Sequence, residues 1–448
     1  MSRQAFSRLL LPVLFLTVSA FPVLADSHVR IVRLSMVEGS VKVDRGTGQF
    51  EKAMINLPIT QGMKLRTGYD GRAEIEFEDG STVRIAPDSA VQFPELSLRD
   101  SGTKVSTVEV SKGTAYAESI GKDDQLTLQF GHETVVLTRG AHVRVGVDKS
   151  GAELADFKGD LQIEDSSETI DLKKNQTANF DFSNDSYKLA KKVQQEPEDD
   201  WDKEQDQYRQ QYAAKSHDSY SPYAYGTTDL AYYGNFFNAP GYGMLWQPYF
   251  AGAGWDPFMD GAWSYYPGFG FGWVSAYPWG WTPYHYGTWV FLPGYGWAWQ
   301  PGGMWMPMYT QVAVLKAPAG FVAPKAPASG TGTVTVGRRP SSTMAGFSGS
   351  KLVIRNGSAG LGVPRGQFDN MAKLSAKVQK QGVVTERVET MQAPGMEPMS
   401  RGGSAGAHGT ARTSQSRISG PRSAEPMTMP FPSGGTTSSH GSSGTPHK

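Results

Sequence analysis

Between Val29 and residue 182, apolar and polar side chains alternate in short runs. Ser40-Val41-Lys42-Val43, Ala73-Glu74-Ile75-Glu76-Phe77 and Thr82-Val83-Arg84-Ile85 are the plainest. Val105 to Val110, Leu126 to Phe130, His142 to Val147 and Leu161 to Ile163 continue them. A period of two turns one set of side chains to a core and the other to water. Valine, isoleucine and threonine suit that pleated surface. Glycines 39, 62, 68, 71, 80, 113, 140 and 159 fall between the runs, where the backbone reverses. Asp79-Gly80 is a favoured pair for a two-residue hairpin turn. The pattern predicts a mainly β domain over residues 29–182, a β-sandwich or a short β-solenoid with almost no helix.

The period changes over residues 183–219. Pro197 fits a helical first turn, and Glu198, Asp199, Asp200 and Asp202 suit the positive end of a helix dipole. Trp201, Tyr208 and Tyr212 recur at helical spacing as one aromatic stripe. An acidic helical connector is predicted, with its charges on a solvated face in preference to a cation site.

Residues 220–310 repeat a third design three times. Gly234-Asn235-Phe236 leads to Pro240-Gly241-Tyr242-Gly243 and Trp246; Gly261-Ala262-Trp263 leads to Pro267-Gly268-Phe269-Gly270 and Trp273. Gly287-Thr288-Trp289 leads to Pro293-Gly294-Tyr295-Gly296 and Trp299. The outer copies share a further Trp-Gln-Pro, at 246–248 and 299–301. Each copy predicts a β-hairpin reversed by Pro-Gly-aromatic-Gly. One such hairpin is marginal in water, and three can close a small aromatic module. Of the eleven tryptophans, all but Trp201 lie in this region, so some rings are expected at the surface as a binding platform. Trp281, Tyr284, Tyr286, Trp289, Trp297 and Trp299 are the candidate ligand-binding residues, grouped about His285.

Residues 311–448 are rich in alanine, proline, glycine, serine and threonine, with sixteen basic residues against five acidic ones from Lys316 onward. A mostly disordered basic tail is predicted. One island at 350–390 is expected to fold, with a strand over Lys351 to Arg355 and a helix capped by Asp369 and ended by Gly382.

Glu38-Gly39-Ser40-Val41, Gly62-Met63-Lys64-Leu65-Arg66-Thr67-Gly68, Asp70-Gly71-Arg72-Ala73-Glu74-Ile75 and Asp79-Gly80-Ser81-Thr82-Val83-Arg84-Ile85, in that order and spacing, resemble the FecR domain. The resemblance covers roughly residues 30–160 and implies an extracytoplasmic β module that in some members relays a signal to a sigma factor. Those members carry a cytoplasmic sigma-binding segment before a membrane helix, whereas eight residues precede the apolar run here, so anti-sigma activity is not expected to carry over. The entry Asp229-Leu230 to Gly234 and the unit Gly287 to Trp299 resemble an aromatic module that follows FecR domains in envelope proteins of uncharacterised function.

Arg3, Arg8, the apolar run Leu9 to Leu24, and Val23 and Ala25 before the break read as a secretory signal peptide over residues 1–25. The mature chain is expected to hold no transmembrane helix and to reside in the periplasm or at the cell surface. A zero net charge argues against a nucleic-acid partner. The absence of cysteine excludes disulfides and thiolate chemistry. His132 and His142 flank a predicted strand–turn without metal-motif spacing, and no catalytic motif or cofactor fingerprint appears. The leading expectation is therefore a non-catalytic binding or scaffold protein of the envelope. Its partner would be peptidoglycan, another polysaccharide or an envelope protein. An envelope-sensing signalling partner and a glycan-active enzyme are the alternatives.

Overall fold

The computed structural model describes residues 30–165, 168–213, 221–310, 313–337, 345–348 and 350–388. The signal peptide expected over residues 1–25 and the part of the expected tail beyond residue 388 lie outside the described residues.

The alternating runs build two stacked layers. One layer, edge to edge, is Pro58–Ile59, Val32–Glu38, Arg72–Glu76, Thr82–Ile85, the second half of Lys104–Glu118, His142–Val147, Gly151–Lys158, Thr177–Asp181 and Ser186–Ala190, all antiparallel. The other is Glu51–Lys52, Val41–Asp44, Lys64–Thr67, Ala90–Leu98, the first half of Lys104–Glu118, Gln125–Phe130, Glu133–Val136, Asp160–Glu164 and Thr169–Lys173. Only Lys104–Glu118 beside Gln125–Phe130 is parallel there. Leu34, Ile75, Val83 and Val143 of the first layer share a core with Val41, Leu65, Val91 and Leu128 of the second. The chain is thus a β-sandwich that changes layer every one or two strands. The 15-residue strand Lys104–Glu118 crosses between layers at Gly113, where φ is +79° and a Cβ would sit 2.3 Å from Ser89 Oγ.

The turn at Asp79-Gly80 differs from the two-residue expectation. Phe77 N–H donates to Ser81 O and Gly80 N–H donates to Phe77 O, so Glu78, Asp79 and Gly80 form a three-residue loop, with Gly80 at φ +90°. The register decides this. A three-residue loop sets Glu74 opposite Arg84 and Ile75 opposite Val83. A two-residue turn would slip the pairing by one and set Glu74 opposite Ile85, mixing the faces. The sandwich also runs further than residue 182, because Ser186–Ala190 adds an edge strand to Thr177–Asp181.

Helix α1 (Asp199–Ala213) follows, with Trp201, Tyr208 and Tyr212 buried as the stripe requires. Helix α2 (Thr227–Tyr233) opens the aromatic module. Its three hairpins are Gly234–Ala239 with Gly243–Pro248, Asp260–Tyr266 with Gly270–Ser275, and Thr288–Leu292 with Gly296–Gln300. At each reversal the turn aromatic donates its N–H three residues back: Tyr242 to Ala239 O, Phe269 to Tyr266 O and Tyr295 to Leu292 O, each at 3.0 Å. Proline then occupies the second turn position and a positive-φ glycine the third, the requirement of a type II turn.

Within each hairpin the repeated aromatic faces the repeated tryptophan: Phe236 opposite Trp246, Trp263 opposite Trp273, Trp289 opposite Trp299. The leading glycine makes room for that tryptophan. A Cβ at Gly234, Gly261 or Gly287 would lie 2.4, 2.4 and 2.5 Å from the indole of Trp246, Trp273 and Trp299 respectively. Hairpins one and three join edge to edge at Trp246 and Trp299. Gln247 then donates to Tyr295 O (2.7 Å) and Trp297 O (2.9 Å), and Gln300 donates to Tyr242 O (2.7 Å). This reciprocal clasp explains the Trp-Gln-Pro shared by the outer copies, since the middle hairpin belongs to a separate sheet and has Val274 there.

Two stretches read from sequence as tail complete these sheets. Val314–Lys316 pairs in parallel with the third hairpin, and Thr333–Gly337 pairs with the second. They bury few side chains, so backbone hydrogen bonds do most to place them, with Thr333 Oγ1 also meeting Arg45, Glu51 and Ser264. The island has the expected strand Lys351–Arg355 and a helix, α3 being Thr282–His285 and α4 being Met371–Gln381. Asn370, and not Asp369, caps α4 by accepting from Lys373 N–H at 2.9 Å, and Gly382 ends it at φ +76°. The island is no separate body: Leu352, Ile354, Val378 and Val384 belong to the core that holds the tryptophans.

Gly261→Ala is expected to destabilise the chain by about 3 kcal/mol through the clash with Trp273. Gly254→Ala, which meets nothing within 4 Å, is the neutral control. Urea unfolding followed by tryptophan fluorescence reads both.

Candidate functional site

Strand alternation puts Arg33, Glu74, Glu76, Arg84, His142 and Arg144 on the outer face of the first layer, the face expected to meet water. They are instead covered by α1, α2 and the segment around Arg365. Glu74 is fully buried, and Arg33 and Arg84 are 0% and 1% exposed. Burying charges in this way requires a partner for each one.

The partners come from distant parts of the chain. Arg84 lies 2.9 Å from Glu74 on the neighbouring strand, and 2.7 and 2.6 Å from Asp202 and Asp206 of α1. Arg365 reaches Glu74 at 2.8 Å and Asp229 of α2 at 3.2 Å. Arg33 bridges Glu76 (3.0 Å) and Asp229 (2.6 Å), and Arg209 of α1 meets Glu76 at 3.2 Å. Tyr208 donates to Asp229 at 2.8 Å. At the head of α1, Arg144 and the Tyr116 hydroxyl hold Asp199, and Arg72 grips Glu198 with two nitrogens. Of the acids around the first turn of α1, Asp200 is exposed as a solvated face requires, whereas Glu198, Asp199 and Asp202 neutralise arginines of the sandwich.

Backbone contacts extend this seam to the aromatic module. Asn56 donates to Ser275 O and Tyr277 O at 3.1 and 2.7 Å, Arg33 donates to Pro278 O at 2.7 Å, and Tyr266 donates to Pro58 O at 3.1 Å.

Electrostatics follow from the geometry. Burial alone would raise the Glu74 carboxyl, but Arg365, Arg84, Arg209 and the Ser35 hydroxyl hold it well below the usual carboxylate range. Burial opposes the His142 cation, yet the Asp202 hydrogen bond and the charges of Asp202 and Asp206 raise it above an ordinary histidine. Asp202 is lowered in turn: burial works against it, and His142 and Arg84 overcome that. His142, Asp202 and Asp206 bring ligand atoms within 4.8 Å of one another, the grouping among the described residues with the donors for a metal. Arg84 already supplies positive charge to both carboxylates there. His132 is exposed on its turn, away from this cluster.

The aromatic candidates lie elsewhere in character. Trp281, Trp289 and Trp299 are 0% exposed, Tyr284 1% and Trp297 3%; Tyr286 is half-buried. The first five present no ring face to solvent and are core: Tyr284, Trp289, Trp297 and Trp299 share a cluster with residues of α1 and the island, and Trp281 packs with Ile31 and Tyr225. His285 sits among them between Trp281 and Trp305, pushed down to about 3 by burial and by the charge of Arg33, and is neutral. The exposed rings of the repeat are those of the turns: Phe269 is 40% and Tyr295 56% exposed.

Sequence reading missed the seam. One signal was available: Glu74 and Arg84 face each other across a hairpin whose loop length sets them in register. Asp229 and Arg365 carry no such local signal.

With this geometry in hand, comparison with known proteins places both halves. Residues 63–162 match the FecR protein family. Residues 227–328 match a family of unknown function, DUF6600. No curated protein matches the chain. Two crystal structures of a candidate anti-sigma factor from Parabacteroides distasonis are similar at 13% and 12% identity, each with a TM-score of 0.26. Each alignment covers 29% of this chain and 59% of that one, so the chain spans under two thirds of their length, and the likeness carries no argument about activity.

Removing Arg365 takes one of two cations from each of two buried acids, Glu74 and Asp229, so Arg365→Met is expected to cost about 3 kcal/mol, the low end for a broken buried pair. Lys377→Ala, which breaks the exposed pair with Glu386, is expected to cost at most about 0.5 kcal/mol. A second expectation concerns pH. Glu74 and Asp202 have lowered values, so their contribution is present above the ordinary carboxylate range and lost as pH falls through their folded values. His142 is raised, so its contribution is complete below about 6.5 and lost as pH rises through its folded value. His142→Gln should remove that alkaline loss and leave the acid limb, as read by urea midpoints from acid to alkaline pH.

Proposed function

We propose that this is an exported, non-enzymatic protein of the cell envelope with a regulatory role. In this reading a FecR-like sandwich, bound to its aromatic module as one body, senses a condition outside the cytoplasm and acts through another membrane protein. The FecR match over residues 63–162 carries the proposal, because in some members that domain relays an extracytoplasmic signal to a sigma factor. The seam supports it too. The acids at the centre of the seam are held by arginine and histidine, which suits a structural clasp. Burial of the tryptophans takes support away from a sugar-stacking platform.

Deletion of the gene, with transcript profiling under envelope stress, tests the reading. A discrete set of transcripts should shift and return when the wild-type chain is restored. An unchanged profile would overturn the regulatory role in favour of a passive scaffold.

A further inference from the structure

At one end of the seam the sandwich, α1, α2 and the segment 362–367 leave a cavity of about 650 Å³. Two glycine-centred turns build its wall. Gly39, at φ +59°, lies so close to the second turn that a Cβ would be 2.0 Å from Asp70 O, and a Cβ on Gly71 would be 2.2 Å from Ser40 O. Gly68 N–H donates to Ser40 O at 2.7 Å and Ser40 N–H donates to Asp70 Oδ1 at 3.2 Å. These contacts hold Glu38 and Asp70 together at the cavity with little backbone freedom.

The charges that line it are unequally satisfied. Arg72 is taken by both oxygens of Glu198, at 2.7 and 2.9 Å. Arg365 is taken by Glu74, Asp229 and Ser35 O, at 2.8, 3.2 and 2.9 Å. Glu38, half-buried in the same wall, makes no ion pair and no side-chain hydrogen bond among the described residues. Asp70 accepts only from Ser40. Gln205 of α1 also lines the cavity; it is 7% exposed and its Oε1 has no hydrogen-bond partner. Arg72 and Arg365 act on Glu38 across the cavity but are bonded to other acids, so Glu38, Asp70 and Gln205 Oε1 are left with acceptor capacity unused. Met36, Ile55, Pro278 and Val363 supply the apolar remainder.

We infer that this cavity binds a small organic cation, an ammonium group on an apolar stem, with Glu38 as its counter-charge. A neutral polyol would meet acceptors but forgo the charge, and an anion would meet two carboxylates whose neighbouring arginines are already engaged. The inference rests on the cavity and stands apart from the regulatory reading.

The test is calorimetric titration of the full chain with hexylammonium, hexanol and hexanoate. Hexylammonium should bind saturably at one site with a Kd of about 1 mM or tighter, at least about tenfold better than hexanol, and hexanoate should not bind. Glu38→Gln should weaken hexylammonium by about tenfold or more with the unfolding midpoint unchanged. Ile55→Trp, which fills the cavity without altering its charge, should abolish binding and serves if Glu38→Gln does not fold. Equal binding of hexanoate, undiminished binding by Ile55→Trp, or no heat from hexylammonium at about 10 mM would overturn the inference. Such a failure would leave the transcript test of the regulatory role untouched.

Discussion

The fold depends on a buried carboxylate. Glu74 sits in the middle of a strand whose two faces are both covered, and an ionised acid without partners in that place would be prohibitive. It is held by Arg84 ten residues away and by Arg365, 291 residues away. One partner is provided by hairpin register, the other by a segment that returns to the sandwich from beyond the aromatic module. Asp229 repeats the logic, since Arg33 reaches it from the first strand and Arg365 from the far end. Each charge is satisfied only when three separate segments are in their native places.

Such networks add little net stability over an apolar interface of the same shape, because desolvation offsets much of the attraction. Their effect here is on alternatives. Sliding α1 by one residue along the sandwich would separate Asp202 and Asp206 from Arg84 and leave buried charges unpaired. An apolar seam would tolerate that slip. The charged one specifies where α1, α2 and Arg365 must sit, while the aromatic core supplies burial that is large and less directional.

Local chemistry made much of the architecture legible. Alternation revealed the strands, the repeat revealed three hairpins and their turns, and Gly382 marked the end of α4. What escaped was information that depends on covering. The period of two separates the residues of one face from those of the other, but it does not say what lies above the polar face. Glu74, Arg84 and Arg144 were read as wet because wetness is the usual fate of a polar face. Likewise the abundance of tryptophan suggested exposed rings only because the core was counted without α1 and residues 345–388. Once Tyr208, Tyr212, Leu352 and Val378 are added to it, there is room to enclose Trp289, Trp297 and Trp299, while Ile31 of the sandwich and Tyr225 cover Trp281. Val314–Lys316 and Thr333–Gly337 escaped for a different reason, since edge strands joined by backbone bonds need no apolar pattern.

The same asymmetry decides what counts as one physical unit. Composition suggests cutting the chain near residues 182, 220 and 310. A sandwich cut away at 182 would lose its edge strand Ser186–Ala190 and expose Arg33, Glu74, Glu76 and Arg84, all placed by partners it no longer had. A module cut out at 220 and 310 would lose strands from two sheets and the residues that close its tryptophan core. Neither half carries its own complement of charge and cover, because Glu74 belongs to one and Arg365 to the other. The described residues between 30 and 388 therefore behave as a single unit despite matching two family descriptions, tied together by a shared network of buried ion pairs.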